Sequence, residues 1–187
     1  IDLEHTKVPT TVASFIGLAT GQRPWIDYAS GSIRTTPFYT GVTFHRVIAG
    51  FMNQTGSRNG VGTDGPGYAF KDEFDPTLRH DAAYVVSMAN SGPHTNGSQL
   101  FITVSAQAQL NDKHSVFGRV IAGQAVIDAI NAGVDEFLVK PIRAVDVANR
   151  VNGVIERRRP FVKSGSYFGP DRRRRDDPRH NGPWRRF

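Results

Sequence analysis

Short apolar runs separated by glycine-rich turns fill the middle of the chain and restrict the folds it can adopt. Several runs are rich in β-branched, aromatic and other apolar residues and are predicted to be strands: 42–47, 51–55, 84–89, 100–104 and 115–121. The glycine-rich stretch 57–67 predicts a loop of sharp turns. Within residues 1–133, helical periodicity is confined to a stretch near the start and another near 130. The pattern predicts a mainly β fold, an antiparallel barrel with two helices.

The first helical pattern begins after Val8, has Pro9 in its first turn and stops at Gly21. Its apolar residues recur at helical spacing and are expected to face the core: Val12, Phe15, Ile16 and Ala19. The second pattern covers 124–132 and stops at Gly133. Between the first helix and the strands, the polar stretch 22–36 predicts a long surface loop with Trp25 and Tyr28 folded back.

The net charge of +6 comes from the C-terminal end of the chain. From Glu156 onward, eleven Lys and Arg against four Asp and Glu give a net of +7. The remainder has twelve basic and thirteen acidic residues, a net of −1. A segment so basic and so poor in apolar residues is expected to be disordered. We expect it to be solvated rather than to bind nucleic acid.

The chain has no cysteine, which excludes disulfides and thiolate metal sites. No apolar run approaches the roughly 20 residues that span a bilayer, so no membrane association is expected. The sequence begins with Ile1 and shows no signal peptide. We expect a cytoplasmic monomer, and an export signal ahead of residue 1 is the open alternative.

Three clusters carry the side chains best suited to chemistry. They read Phe44-His45-Arg46-Val47-Ile48 with Gly50-Phe51-Met52-Asn53-Gln54, then Ser87-Met88-Ala89-Asn90 with Asn96-Gly97-Ser98-Gln99-Leu100-Phe101-Ile102, and finally Leu110-Asn111-Asp112-Lys113-His114-Ser115-Val116-Phe117-Gly118. In order and spacing they resemble the cyclophilin family of peptidyl-prolyl isomerases. The resemblance implies a barrel plugged at its ends by two helices over residues 1–132. Residues 1–4 match the family's second strand, and we expect its first strand to be absent.

The resemblance also implies roles for individual residues. Those that match the family's catalytic residues are Arg46, Gln54 and Phe101. Those that match its substrate-binding residues are His45, Phe51, Met52, Ala89, Asn90, Gln99, Leu110 and His114. Of all these, the residues that match the proline socket are Phe51, Met52, Phe101 and Leu110, with His114 at the rim. The residues that match the strand and loop bonding the peptide backbone are Ala89, Asn90 and Gln99.

An arginine among apolar residues suits proline isomerisation on physical grounds. Rotation about an X-Pro amide costs about 18–20 kcal/mol because resonance favours the planar forms. A catalyst must stabilise the twisted amide, whose nitrogen regains its lone pair, more than either planar form. The guanidinium of Arg46 would offer a fixed donor to that nitrogen without any proton transfer. The expected substrates are proline-containing peptides and unfolded protein clients.

Two features refine this expectation. His45 and His114 could suggest acid–base or metal chemistry, but neither a Ser-His-acid signature nor His-Glu-x-x-His spacing is present. No metal and no cofactor are therefore expected. Gln109 stands where many cyclophilins have tryptophan or another aromatic residue, which the resemblance ties to cyclosporin binding. We expect weak or no cyclosporin binding with isomerase activity retained.

Beyond Gly133 the sequence departs from the family pattern. Residues from about 133 to 175 resemble the end of a response-regulator receiver domain. The resemblance is carried by Phe137-Leu138-Val139-Lys140-Pro141-Ile142, by the helical pattern after it and by the basic extension at 167–175. Residues 133–158 are therefore either a receiver-like strand and helix or a segment that closes the barrel, and 159–187 form the basic tail. Two other functions stay open: a proline-peptide binding module with little turnover, and a receiver-type signalling fragment, against which the lack of an acidic phosphorylation pocket counts.

Overall fold

The computed structural model describes residues 1–133, 161–164 and 167–170, in a chain that divides into the units Ile1–Ala132 and Gly133–Phe187. The strands of the first unit are β1 (Asp2–Leu3), β2 (Trp25–Asp27), β3 (Ser32–Arg34), β4 (Arg46–Ile48), β5 (Met52–Thr55), β6 (Val85–Met88), β7 (Leu100–Thr103) and β8 (Val116–Arg119). Its helices are α1 (Pro9–Thr20) and α2 (Gln124–Ala132), with a 3-10 helix at Ala108–Leu110. The predicted mainly β fold with two helices is confirmed.

One antiparallel sheet organises the unit, with the strand order β1-β8-β6-β7-β5-β4. Successive side chains of a strand point to opposite faces of a sheet. One face carries Val86 and Ile102, which are buried in the core together with Val12 of α1 and Ile127 of α2. The opposite face is therefore the one available for a functional site.

The predicted strand at 42–47 is partly wrong, because β4 begins only at Arg46. The carbonyl of Thr43 accepts a hydrogen bond from the hydroxyl of Thr55 over 2.9 Å, a side-chain contact in place of a strand ladder. Phe44 packs against the core cluster. The other four predicted runs each contain a strand, within a residue or two of the expected ends.

Helix α1 has the expected ends, and its expected buried face is half right, since Val12 is in the core and Phe15 packs against it. It begins at Pro9 and stops at Gly21, whose φ of 76° is the left-handed conformation that glycine adopts without strain. The buried residues are Thr11, Val12, Ser14 and Leu18, whereas Ile16 is 41% exposed and Ala19 is also exposed. The buried hydroxyls have partners, since Thr11 donates to Glu73 and Ser14 bonds to Tyr68. The spacing of apolar residues therefore predicted only part of the buried face of α1.

The predicted loop at 22–36 contains a hairpin, in which β2 pairs with β3. Trp25 is buried as expected, and its indole N–H donates to the carbonyl of Thr36 over 2.8 Å. Tyr28 is 63% exposed, so the expectation that it folds back onto the protein is wrong. The carboxylate of Asp27 accepts hydrogen bonds from Ala29 and Ser30 and so stabilises the turn.

In the second unit the structure describes β9 (Phe161–Ser164) and β10 (Tyr167–Pro170), which pair as an antiparallel hairpin. These strands lie inside the segment 159–187, for which the sequence predicts disorder. The rest of that segment lies outside the described residues. So does the receiver-like or barrel-closing segment 133–158, apart from Gly133. Among the described residues, no helix is long and apolar enough to cross a membrane.

Candidate active site

Four side chains form a row across the sheet face that lies opposite the core. Arg46 of β4 pairs with Gln54 of β5, which in turn pairs with Phe101 of β7. Ser87 of β6 completes the row, since its partner is Phe101. Directly opposed residues on neighbouring antiparallel strands project to the same face, with Cβ atoms about 4.5–5.5 Å apart. The register therefore brings the predicted catalytic residues side by side.

Hydrogen bonds fix the amide group of Gln54. Nη1 of Arg46 donates to Oε1 of Gln54 over 3.2 Å, and Nε2 of Gln54 donates to Oε1 of Gln99 over 3.0 Å. Nε2 of Gln99 donates to the carbonyls of Gly62 and Asp64, both over 2.9 Å. Because a main-chain carbonyl can only accept, the Gln99 amide has one orientation, and this orients Gln54 in turn. The oxygen of Gln54 must therefore face Arg46.

His45 lies against the loop that receives Gln99. A Cβ built on Gly62, where φ is 84°, would be 3.2 Å from Nε2 of His45. Burial lowers the pKa of His45, and the charge of Arg46 lowers it further while Asp64 opposes the shift. At neutral pH the imidazole is therefore neutral. His45 shapes the start of β4 without adding a second positive charge beside Arg46.

Phe101 and Met52 are buried on the same face as Gln54 and supply apolar surface next to it. His114 packs edge-on against Phe101, with ring centroids 5.4 Å apart and planes at 85°. Nδ1 of His114 donates to the carbonyl of Met88 over 2.9 Å, which fixes the ring. The contacts bring Phe101 and His114 together as the resemblance implies.

For two other predicted socket residues, the polar contacts that the structure shows are made by the main chain. Phe51 is half-buried in the turn before β5, and its carbonyl accepts from the amide of Val104 over 3.1 Å. Leu110 is half-buried at the end of the 3-10 helix, and its carbonyl accepts from the amide of His114 over 3.2 Å. Leu110 therefore neighbours His114, while the role of the Phe51 ring stays a prediction.

His80 is a site residue that the sequence analysis missed. It is fully buried, and its ring stacks on Phe101 with centroids 5.8 Å apart. Oδ1 of Asn111 accepts from the main-chain amide of His80 over 2.9 Å and lies 3.0 Å from Nδ1. Because that oxygen can only accept, Nδ1 carries the proton, and Nε2 accepts from the hydroxyl of Ser87 over 2.9 Å.

The neutral tautomer of His80 agrees with the direction in which its pKa is shifted. Burial lowers the pKa of His80, the charges of His114 and Arg79 add to this, and Asn111 and Asp81 oppose it. A single histidine with no motif around it gives no signal in the sequence, since its stacking on Phe101 depends on the folding of a distant segment.

Ala89, Asn90 and Gln99 line a cavity of about 720 Å³ that also includes Gln54. The amide of Ala89 donates to the carbonyl of Gln99 over 3.0 Å, and the side chain of Asn90 donates to the carbonyl of Lys113 over 2.8 Å. The cavity is large enough for a peptide segment. That Ala89, Asn90 and Gln99 bond to the backbone of a bound peptide stays a prediction.

The site offers hydrogen-bond donation beside apolar surface. In the part of the chain that the structure describes, no group of three or more His, Cys, Asp or Glu side chains could hold a metal ion. The arrangement at Arg46 can polarise or bind a neutral polar group of a ligand that also buries apolar surface against Phe101.

Comparison with known families gives an independent assignment. Residues 1–150 match the family described as cyclophilin type peptidyl-prolyl cis-trans isomerase/CLD. The match continues past 132, so it includes part of the segment that resembles a receiver domain.

Individual relatives agree with the family match. Over 134 residues the chain is 53% identical to peptidyl-prolyl cis-trans isomerase B of Streptomyces anulatus, covering 71% of this chain and 77% of that one. It is 50% identical over 133 residues to peptidyl-prolyl cis-trans isomerase A of Mycobacterium tuberculosis, covering 70% and 73%. A crystal structure of a Cryptosporidium parvum cyclophilin type isomerase in the presence of the dipeptide Ala-Pro is similar with a TM-score of 0.58 and 33% identity, over 70% and 76% of the two chains.

Proposed function

Because the chain belongs to the family of cyclophilin-type peptidyl-prolyl cis-trans isomerases, we propose that Arg46 accelerates X-Pro isomerisation by donating to the nitrogen of the twisted amide. The observation that carries this proposal is the hydrogen-bonded pair of Arg46 and Gln54 in register with the buried ring of Phe101. A donor that is held in place before substrate binds needs no reorganisation during the reaction.

The proline ring would pack on the apolar surface formed by Phe101 and Met52. With the proline ring in this position, the X-Pro amide nitrogen would lie at the edge of the apolar surface, on the side of Gln54 and Arg46. In the planar amide that nitrogen is a poor acceptor because its lone pair is delocalised into the carbonyl. In the twisted amide the lone pair is localised, so the hydrogen bond from Arg46 is stronger in the transition state than in either ground state.

Gln54 acts in this scheme as a positioning residue. Its oxygen holds one guanidinium nitrogen, so within the described part of the chain the other N–H groups of Arg46 can turn to a substrate. The Gln99 amide accepts from Gln54 and is itself held by two main-chain carbonyls, those of Gly62 and Asp64. A substrate that covers Arg46 would exclude water and strengthen the hydrogen bonds of its guanidinium.

The substrates we propose are exposed proline-containing segments of peptides and unfolded protein clients. The solved relative crystallised in the presence of Ala-Pro supports binding of proline peptides at this fold. We also propose that cyclosporin binds weakly, since the exposed Gln109 stands beside Leu110 and its amide donates to Gln107 over 2.7 Å. An indole at that position would offer a larger apolar surface.

The proposal is tested by measuring kcat/KM for an X-Pro peptide by NMR exchange with the wild type and Arg46→Ala. The expected loss is about 100- to 1,000-fold, the usual effect of removing one preorganised donor. Arg119→Ala, which removes an exposed arginine paired with Asp81, is the matched control and should retain activity. Equal activity in Arg46→Ala and the wild type would contradict the mechanism. Peptide binding by the wild type without turnover would favour the binding-module alternative.

A further inference from the structure

The cavity beside Gln54 and Gln99 extends beyond the residues that act on the proline amide. Its lining also includes the glycine-rich loop and Tyr28, which lies in the turn between β2 and β3. Since Gln54 is bonded to Arg46, this space adjoins the proposed reaction site. An extended peptide advances about 3.3 Å per residue. A residue a few positions from the isomerising proline would therefore reach it.

The hairpin β2–β3 is fastened to the wall of this cavity. The amide of Ile26 donates to the carbonyl of Pro66 over 3.0 Å. The side chain of Ile26 covers Gly67, where a Cβ would be 2.7 Å from Cδ1 of Ile26. On the other face of β2, Trp25 is buried against Phe38 with its ring edge-on at 5.0 Å. The hairpin is therefore a fixed part of the cavity.

The turn of the hairpin holds Tyr28 in an exposed position at the cavity. Asp27 accepts from the amide of Ala29 over 3.2 Å, and Arg34 donates to the same carboxylate over 3.3 Å. Tyr28 lines the cavity and is still 63% exposed. A tyrosine ring loses little conformational entropy when it is covered, because it has only two side-chain torsions.

Asp64 is the one charged side chain among the described residues that line the cavity, and it already has hydrogen-bond partners. The carboxylate of Asp64 accepts from Ser57 over 2.5 Å and from the amide of Asn59 over 2.9 Å. The guanidinium of Arg23 lies 4.2 Å from the centre of the Tyr68 ring. An acidic client side chain would lose water without a cationic partner among the residues that line the cavity, and a basic one would compete with Ser57 and Asn59 for Asp64. A flat neutral side chain can cover Tyr28 and the glycine main chain without this cost.

We propose that Tyr28 is a specificity-determining residue that stacks on an aromatic side chain of the client a few residues from the isomerising proline. This proposal rests on the proposed function of the site. It gives the hairpin β2–β3 a role in choosing among X-Pro sequences, and it leaves the chemical step at Arg46 unchanged.

The experiment uses peptides that share one Ala-Pro unit and carry either Phe or Ala at one flanking position. That position is scanned over three residues before and two residues after the Ala-Pro unit. For each peptide, kcat/KM is measured by NMR exchange with the wild type, Tyr28→Ala and Tyr28→Phe. Phe74→Ala is the matched control, because Phe74 is an exposed aromatic residue that does not line the cavity.

At one scanned position the wild type should prefer Phe over Ala by roughly five- to tenfold, the usual value of an aromatic pair. Tyr28→Ala should lose this preference and keep its activity on the all-Ala peptide, while Tyr28→Phe and Phe74→Ala should retain it. A wild type without a preference, or a preference that survives in Tyr28→Ala, overturns the proposal. Failure of the Arg46 mechanism would instead appear as unchanged activity of Arg46→Ala on the all-Ala peptide.

Discussion

Asn131 of helix α2 donates a hydrogen bond to the fully buried Asn53 of β5, Nδ2 to Oδ1, over 2.7 Å. The same Nδ2 of Asn131 donates to the carbonyl of Ile48 over 2.9 Å, and Oδ1 of Asn131 accepts from the amide of Gly50 over 3.1 Å. Asn53 in turn donates to the carbonyl of Ile127 over 2.9 Å. The end of α2 therefore holds the turn that joins the strands of Arg46 and Gln54.

We predict that Asn131→Asp destabilises the folded protein by about 1–3 kcal/mol, because the new carboxylate leaves buried acceptors without a donor. The measurement is the free energy of unfolding in urea. Ala125→Ser, at an exposed position of the same helix, should change it little. We also expect kcat/KM of Asn131→Asp to fall, since the turn positions both site strands. A variant as stable as the wild type would show that this network does not hold the turn.

Gln54→Leu should lower kcat/KM by roughly 10- to 100-fold, because Arg46 loses the acceptor that orients it. Gln54→Glu is the diagnostic variant, since a carboxylate still accepts from Arg46 but cannot donate to Gln99. The new carboxylate would also neutralise the charge of Arg46, so Gln54→Glu should be no more active than Gln54→Leu. Gln124→Ala is the control, because within the described residues the side chain of Gln124 donates locally, to the carbonyl of Val120. Full activity in Gln54→Leu would remove Gln54 from the mechanism.

Protonation of His80 should destabilise the fold in mild acid. Its pKa is lowered in the folded protein, mainly by burial, from an ordinary value of 6.5. The unfolded chain therefore binds a proton at higher pH than the folded chain does. The stabilisation is complete above about pH 6.5 and decreases as the pH falls below it.

The check is the free energy of unfolding of the wild type and His80→Gln between pH 7.5 and 5. His80→Gln should be less stable at pH 7.5 but should lose less stability on acidification. His45 has a lowered pKa for a similar reason, so some pH dependence should remain until His45→Gln is added. Parallel pH curves for the wild type and His80→Gln would exclude His80 as a source of this dependence.

Gln109→Trp should tighten cyclosporin binding by at least about tenfold, corresponding to roughly 1.4 kcal/mol. The side chain at this position is exposed next to Leu110, so the larger ring can be added without disturbing the core. Isomerase activity should stay within twofold. Ala108→Trp adds the same ring one position earlier and should not tighten binding. Tight cyclosporin binding by the wild type itself would refute the premise.

Local signals in the sequence predicted most elements of the fold. Pro9, Gly21 and Gly133 mark helix ends through backbone restrictions that do not depend on the rest of the protein. The hairpin β2–β3 was missed because its stability depends on distant contacts of Trp25, including the guanidinium of Arg58 4.7 Å from the ring centre. No local pattern of apolar residues reports such a contact.

The candidate site was named from motifs, but its geometry depends on strand register. Spacing in the sequence does not reveal that Arg46, Gln54 and Phe101 are consecutive partners across three strands. Nor does it reveal that His80 stacks on Phe101. Thr11 and Ser14 illustrate the same limit in the core, since their burial depends on hydrogen-bond partners far along the chain.

The central claim is that Arg46 stabilises the twisted amide rather than the bound peptide. The most direct measurement is the cis–trans exchange rate of a saturating X-Pro peptide, compared with its dissociation constant, for the wild type and Arg46→Ala. The account predicts that the exchange rate falls about 100-fold or more while the dissociation constant changes less than about threefold. An exchange rate that is retained at saturation, with the loss confined to binding, would contradict it.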